Sequence, residues 1–146
     1  MKGPEAGRRP AYFLSAIFLR RSPTRARTSS FAAAWAGGIC SSEALRAVGR
    51  LLLGNTRRAD VVARFGGEGF VVLLPESLKA AGAVVAEKIR AAVAAHPLPG
   101  REAQPGGRLT ITCGVAAYPG DAASGLEVVD AADRALYRGK QQGGNR

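Results

Sequence analysis

Arg64-Phe65-Gly66-Gly67-Glu68-Gly69-Phe70 reads as the tip of a β-hairpin. Before it, Val61, Ala63 and Phe65 alternate with Val62 and Arg64, the pattern of a strand with one mixed face. After it, Phe70-Val71-Val72-Leu73-Leu74 is continuously apolar, as in a strand buried on both sides. Three glycines within four residues permit positive φ and a close approach of the backbone to a ligand. Glu68, the one acid here, then stands at an exposed tip, where it can hold a metal or lie beside a phosphate that backbone N–H groups face. A plain glycine-rich turn with a solvated glutamate has the same appearance, so these seven residues do not decide between a site and a turn.

Upstream, Leu45, Val48 and Leu52 recur at helical spacing with Arg46 and Arg50 opposite, predicting an amphipathic helix over residues 42–53 capped by Ser42 and ended by Gly54-Asn55. Downstream, Pro75 closes the second strand. Ser77 is the expected cap of a second helix, with Leu78, Val85, Ile89 and Val93 as its apolar stripe and His96 at its end. A polar loop leads to a β-branched strand over residues 109–116, then to the turn Tyr118-Pro119-Gly120-Asp121. Ser124-Gly125-Leu126-Glu127 has capping-box spacing, and the helix it opens is expected to turn Leu126, Val129, Ala132 and Leu136 inward before a glycine-rich tail from Gly139. Strand, helix and hairpin in this order imply an α/β fold with a mixed central sheet and helices on both faces.

The first 42 residues differ from the rest. They carry Lys2, Arg8, Arg9, Arg20, Arg21, Arg25 and Arg27, and residues 6–42 contain no carboxylate. Residues 11–19 are apolar, too few to span a bilayer and followed by Arg20-Arg21 rather than a cleavage site, so a strand is expected. The segment divides the chain into an atypical basic part, 1–42, and a regular domain, 43–146. A formal charge of +10 favours anionic partners and allows a basic nucleic-acid-binding arm over residues 1–27, although no basic face interleaved with aromatics supports one. Cys40 and Cys113 lack metal or redox spacing, which fits a reducing, cytoplasmic setting.

Residues 61–75, with Thr112-Cys113-Gly114-Val115 and Ala132-Asp133-Arg134-Ala135-Leu136-Tyr137-Arg138-Gly139-Lys140, resemble in order and spacing the GGDEF domains, the diguanylate cyclases of bacterial signalling. The resemblance implies the nucleotide-cyclase-like fold of that family. It also implies a head-to-tail homodimer that joins two GTP into cyclic di-GMP with Mg²⁺ or Mn²⁺, by positioning and charge neutralisation. On it, Gly66 and Gly67 pass close to the nucleotide phosphates, Glu68 is the metal-binding and catalytic acid, and Lys140 contacts the terminal phosphates.

The departures are specific. The fourth motif position, an acid in active members, is Gly69, and the arginine usual after the last helix is Gly144. Counted back from Leu45, the family's aspartate-rich segment falls on Arg25, Arg27, Ala33, Ala34, Ser41 and Ser42. Loss of carboxylates weakens Mg²⁺ binding, so impaired cyclase activity is expected. Arg57-Arg58-Ala59-Asp60 stands before Val61 at the spacing of the family's RxxD product-inhibition site, in which Arg57 and Asp60 would hold cyclic di-GMP. A charged loop held together by Asp60 is the alternative. Either residues 11–19 supply the central strand, or the Ala/Arg/Ser-rich text comes from a shifted reading frame that rejoins the family pattern near Glu43.

Overall fold

The computed structural model describes residues 14–21, 41–66, 69–97 and 109–146. Among these residues four strands, β1 (Leu14–Arg21), β2 (Val61–Arg64), β3 (Gly69–Pro75) and β4 (Ile111–Tyr118), form one sheet in the order β2-β3-β1-β4. Among the described residues three helices accompany them: α1 (Ser41–Gly54), α2 (Lys79–Ala95) and α3 (Gly125–Gln141). Among the described residues no helix is long and apolar enough to cross a membrane.

The strand in the first 42 residues is β1, and it takes the middle of the sheet. It begins and ends later than the apolar run, at Leu14–Arg21, because its ladders with β3 and β4 set its limits. All three ladders are antiparallel, where a mixed sheet was expected. β3 and β4 do run in the same direction, but β1 is inserted between them, so the helical crossover through α2 creates no parallel pair.

Alternation along the strands separates two cores. On one face Ile17, Phe70, Val72, Leu74 and Ile111 pack with Ala47, Val48 and Leu52 of α1 and Ala86, Ile89 and Val93 of α2. On the other, Val71 and Ala116 pack with Val128, Ala132 and Leu136 of α3. Helices therefore cover both faces, as the sequence predicts, and β3 is buried on both sides from Phe70 to Val72. Gly114 permits the closest helix–sheet approach. A Cβ there would overlap the backbone of Ala132 and Leu136.

Three helix assignments change. Ser42 lies inside the first turn of α1. Its C-terminus is where expected, with Asn55 Nδ2 and Thr56 Oγ1 donating to the carbonyls of Leu51 and Leu52 at 2.7 and 2.9 Å. In α2 the N-cap is Leu78, in extended backbone and 57% exposed, so the buried stripe begins at Gly82; Ser77 Oγ instead donates to Pro75 O at 3.2 Å. In α3 the inward stripe is Val128, Ala132, Leu136 and Gly139, and Leu126 is 86% exposed. Two residues before Val128, about 200° away around the helix, Leu126 faces solvent. Ser124 accepts from Glu127 N as predicted, but the Glu127 carboxylate accepts from Ala123 N rather than from the cap itself.

Asp121 ties the start of α2 to the end of β4. Its Oδ1 is 2.8 Å from Lys79 Nζ, and its Oδ2 accepts from Ala117 N at 2.9 Å. The Lys79 hydrogen bond, and next the Ala117 amide, hold the carboxyl below its ordinary value. A depressed carboxylate stabilises the fold above its unfolded value, about 3.9, and that contribution disappears as pH falls through the lower folded value. Asp121→Asn is therefore expected to lower Tm at neutral pH by the equivalent of about 1 kcal/mol. The gap to the parent should narrow as the pH is lowered into the acid range; melting curves at neutral and acid pH check this.

Candidate functional site

The hairpin is closed by Phe65 N donating to Gly69 O at 2.8 Å and Gly69 N to Gly66 O at 3.2 Å. Gly66 has φ +61°, the left-handed region that favours glycine, with nothing within 4 Å of where a Cβ would stand. Glycine is thus needed there for conformation and not for space. Gly67 and Glu68, expected to touch phosphate and metal, lie outside the described residues. Phe65 is 56% exposed beside the tip.

Strand register shows what shares this end of the sheet. Gly69 pairs with Arg20 of β1, and Arg20 pairs with Thr112 of β4, so the three form one row. Two strand spacings separate Gly69 from Thr112, about 10 Å. Helix α3 ends over the same row: a Cβ on Gly139 would lie 2.9 Å from Thr112 Cγ2, and half-buried Lys140 is the next residue. Gly66, Gly69 and the Lys140 backbone thus lie at the same end of the sheet. The register also adds Arg20, for which the only sequence signal was its place directly after an apolar run.

The helix end is fixed. Gly143 N donates to Lys140 O at 3.2 Å and Gly144 N to Gly139 O at 3.0 Å, a Schellman arrangement. Asn145 N then donates to Thr112 Oγ1 at 3.1 Å, and Arg146 O accepts from Cys113 N at 2.7 Å, so the tail lies along the outer edge of β4. Arg90 of α2, chelated by Glu87 at 2.8 and 2.6 Å, reaches Asn145 Oδ1 at 2.9 Å. Nothing in the residue pattern announced these contacts, because most of them use the backbone. Under this tail, burial pushes the Cys113 thiol up to about 12, with the Arg90 charge opposing, so it is no nucleophile at neutral pH.

Arg57 and Asp60 are elsewhere. They precede Val61, which pairs with Leu73, so the four residues of β2, about 13 Å, separate them from the tip. Asp60 Oδ2 accepts from Arg57 N at 2.6 Å while Asp60 N donates to Arg57 O at 3.0 Å. The acid holds the turn, and Arg57 is exposed on it.

Among the described residues no three His, Cys, Asp or Glu side chains form a group able to hold a metal. The row nearest the tip reads Gly69, Arg20, Thr112, and residues 6–42 offer no acid.

A family model described as the GGDEF domain of diguanylate cyclases matches residues 35–146. The chain belongs to the GGDEF family. Diguanylate cyclase DgcP of Pseudomonas aeruginosa is 42% identical over 112 residues, 75% of this chain and 16% of that protein. Diguanylate cyclase A of Treponema denticola is 38% identical over 104 residues, 70% of this chain and 27% of that protein. The chain thus spans at most 27% of these GGDEF relatives. Among solved structures, the GGDEF domain of DgcB from Caulobacter crescentus in complex with c-di-GMP superimposes with a TM-score of 0.73 and 27% identity, covering 92% of this chain and 76% of that one. The active GGEEF domain of a diguanylate cyclase from Vibrio cholerae gives a TM-score of 0.74 at 22% identity, covering 92% and 80% of the two chains, a likeness of fold alone. In this GGDEF domain β1 lies before the residues that the family model matches, yet it supplies the central strand.

Proposed function

We propose that this GGDEF domain takes part in cytoplasmic cyclic di-GMP signalling, binds guanine nucleotide at the hairpin end of its sheet, and is impaired as a cyclase. The observation that carries the reading is the composition of that end: Gly69 stands at the fourth motif position, and its partner in the central strand is Arg20. Glu68 is left as the one motif acid for Mg²⁺ or Mn²⁺. Gly66, Gly67 and Lys140 are the residues assigned to the GTP phosphates. A catalytic homodimer would need both copies to supply this depleted site.

The assay is incubation of the chain at high concentration with GTP and Mg²⁺ or Mn²⁺, followed by chromatography for cyclic di-GMP. With an electrostatic group missing from the site, turnover about 10²–10³-fold below that of a four-acid-motif relative is expected. A concentration-dependent product at the relative's rate, abolished by Glu68→Ala, would reject the impairment.

A second reading, a cyclic di-GMP receptor, is favoured by the Arg57–Asp60 turn, whose carboxylate fixes the backbone that presents Arg57. Arg57→Ala is expected to weaken cyclic di-GMP binding about tenfold or more, the loss of one charge-assisted contact. Unchanged affinity in both Arg57→Ala and Asp60→Ala rejects the site.

A further inference from the structure

We propose that copies of this chain associate in a row, the outer face of α1 on one copy docking on the outer face of α3 on the next. These faces are separate from the hairpin end, and the proposal goes beyond the nucleotide reading without resting on it.

Both faces are exposed, and the charges on them are unpaired. At 3.6 residues per turn Arg46, Arg50 and Leu53 fall within about 60° of arc on α1, and Leu126, Asp130, Asp133 and Tyr137 within about 60° on α3. All seven are exposed, Leu53 by 66%, Leu126 by 86% and Tyr137 by 64%. Among the described residues the side chains of Arg46, Arg50, Asp130 and Asp133 take part in no hydrogen bond or ion pair. Arg134 and Arg138 lie with Glu127 on the flank of the α3 stripe rather than in it.

The spacings along the two helices match. With a rise of 1.5 Å per residue, Arg50, Arg46 and Glu43 stand about 4.5, 10.5 and 15 Å from Leu53 toward the start of α1. Asp130, Asp133 and Tyr137 stand about 6, 10.5 and 16.5 Å from Leu126 toward the end of α3. Antiparallel docking with Leu53 on Leu126 therefore brings each arginine within about 1.5 Å of axial register with an aspartate. It also sets Glu43 beside the Tyr137 hydroxyl, which can donate to it. A parallel arrangement joins the same charges but lays Glu43 on Leu126, so the antiparallel one is the better fit.

Topology sets the kind of assembly. Helix α1 packs on the sheet face of Ile17, Phe70 and Val72, and α3 on the face of Val71 and Ala116, so their outer sides point away from opposite faces. The contact is heterologous: a copy that has used its α1 still offers its α3, and growth gives a row rather than a closed two-fold dimer. One helix pair is a small interface with exposed ion pairs, so association is weak and needs concentrated protein. The overall charge of +10 opposes it at low salt. Near physiological ionic strength a Debye length of about 8 Å screens that repulsion but not pairs in contact.

Sedimentation velocity of the full chain, reduced and without nucleotide, over a concentration series at that ionic strength tests this. The weight-average sedimentation coefficient should rise with concentration past the dimer value. Arg46→Glu with Arg50→Glu, and separately Asp130→Lys with Asp133→Lys, should each remove the rise completely. An equimolar mixture of the two double variants should restore it, because the reversed faces fit each other and so do the unaltered ones. Both variants keep a net positive charge, so overall attraction does not explain a mixture that assembles. Circular dichroism checks their folding; if one double variant unfolds, the other and the parent series still decide. A parent that stays monomeric or stops at a dimer, a rise that survives in a folded double variant, or a mixture of folded variants that stays monomeric overturns the proposal. So does a monomeric parent that sediments with phosphatidylserine vesicles and loses them on the Arg46 and Arg50 changes, which makes a lipid surface the occupant. With no nucleotide present, each of these outcomes leaves the nucleotide reading untouched.

Discussion

Gly114→Ala should be the most damaging single-methyl change in the described structure, at about 4 kcal/mol against a total of about 5–15 for a domain. The added Cβ would overlap the carbonyl oxygen of Ala132 and the amide of Leu136. Both are backbone atoms within α3, so no rotamer change relieves the contact, and the whole helix must lift from β4. Lifting it exposes the packing of Val128, Ala132 and Leu136 against Val71 and Ala116. Overpacking in a rigid core costs about 1–3 kcal/mol, and the lost helix burial adds to it. Urea unfolding followed by far-UV circular dichroism measures the change; a midpoint equal to the parent's would show that α3 sits farther from the sheet than described.

Ile17→Ala comes next, at about 3 kcal/mol, within the range of about 2–5 for buried isoleucine truncations. Ile17 is 0% exposed, paired with Val72 on one side and Val115 on the other, and belongs to the core under α1 and α2. The result bears on more than packing, because residue 17 lies in the basic segment whose place the sequence left open. If residues 14–21 form the central strand, the variant loses stability on this scale and Ile17→Val loses about 1 kcal/mol. Equal midpoints for parent and Ile17→Ala would mean that the strand contributes nothing to the folded sheet.

The parts legible in the sequence were those where burial is continuous or periodic. Phe70 to Leu74 announced β3 because a strand covered on both faces has no polar side to show, and Ala132 and Leu136 announced the inner face of α3. Leu78 and Leu126 misled for one reason: each falls near a helical spacing, but the phase of a helix is set by what it packs on. Gly82 and Gly139, silent in a hydrophobicity pattern, belong to the buried stripes from which Leu78 and Leu126 are absent. Asp60 was equally suited to ligand or loop from its sequence, and a 2.6 Å bond to the Arg57 amide gives it a loop duty. Arg20 could be placed only by pairing. Counting back from Leu45 assumed a fixed spacing through residues 22–40, whereas ladder register depends on neither their number nor their composition.

The two margins of the sheet have unequal fates in a crowded solution. Along β4 the outward amides of Cys113 and Ala117 are already taken, by the Arg146 carbonyl and the Asp121 carboxylate, and Asp121 N returns to the Ala117 carbonyl. A foreign strand arriving there would have to displace bonds before making any. The opposite margin, β2, is only four residues long and carries exposed Val61. Strand-to-strand aggregation of this protein, if forced by concentration or heat, should therefore start at β2, and shielding that short margin with a lysine at Val61 is the economical way to keep the chain in solution.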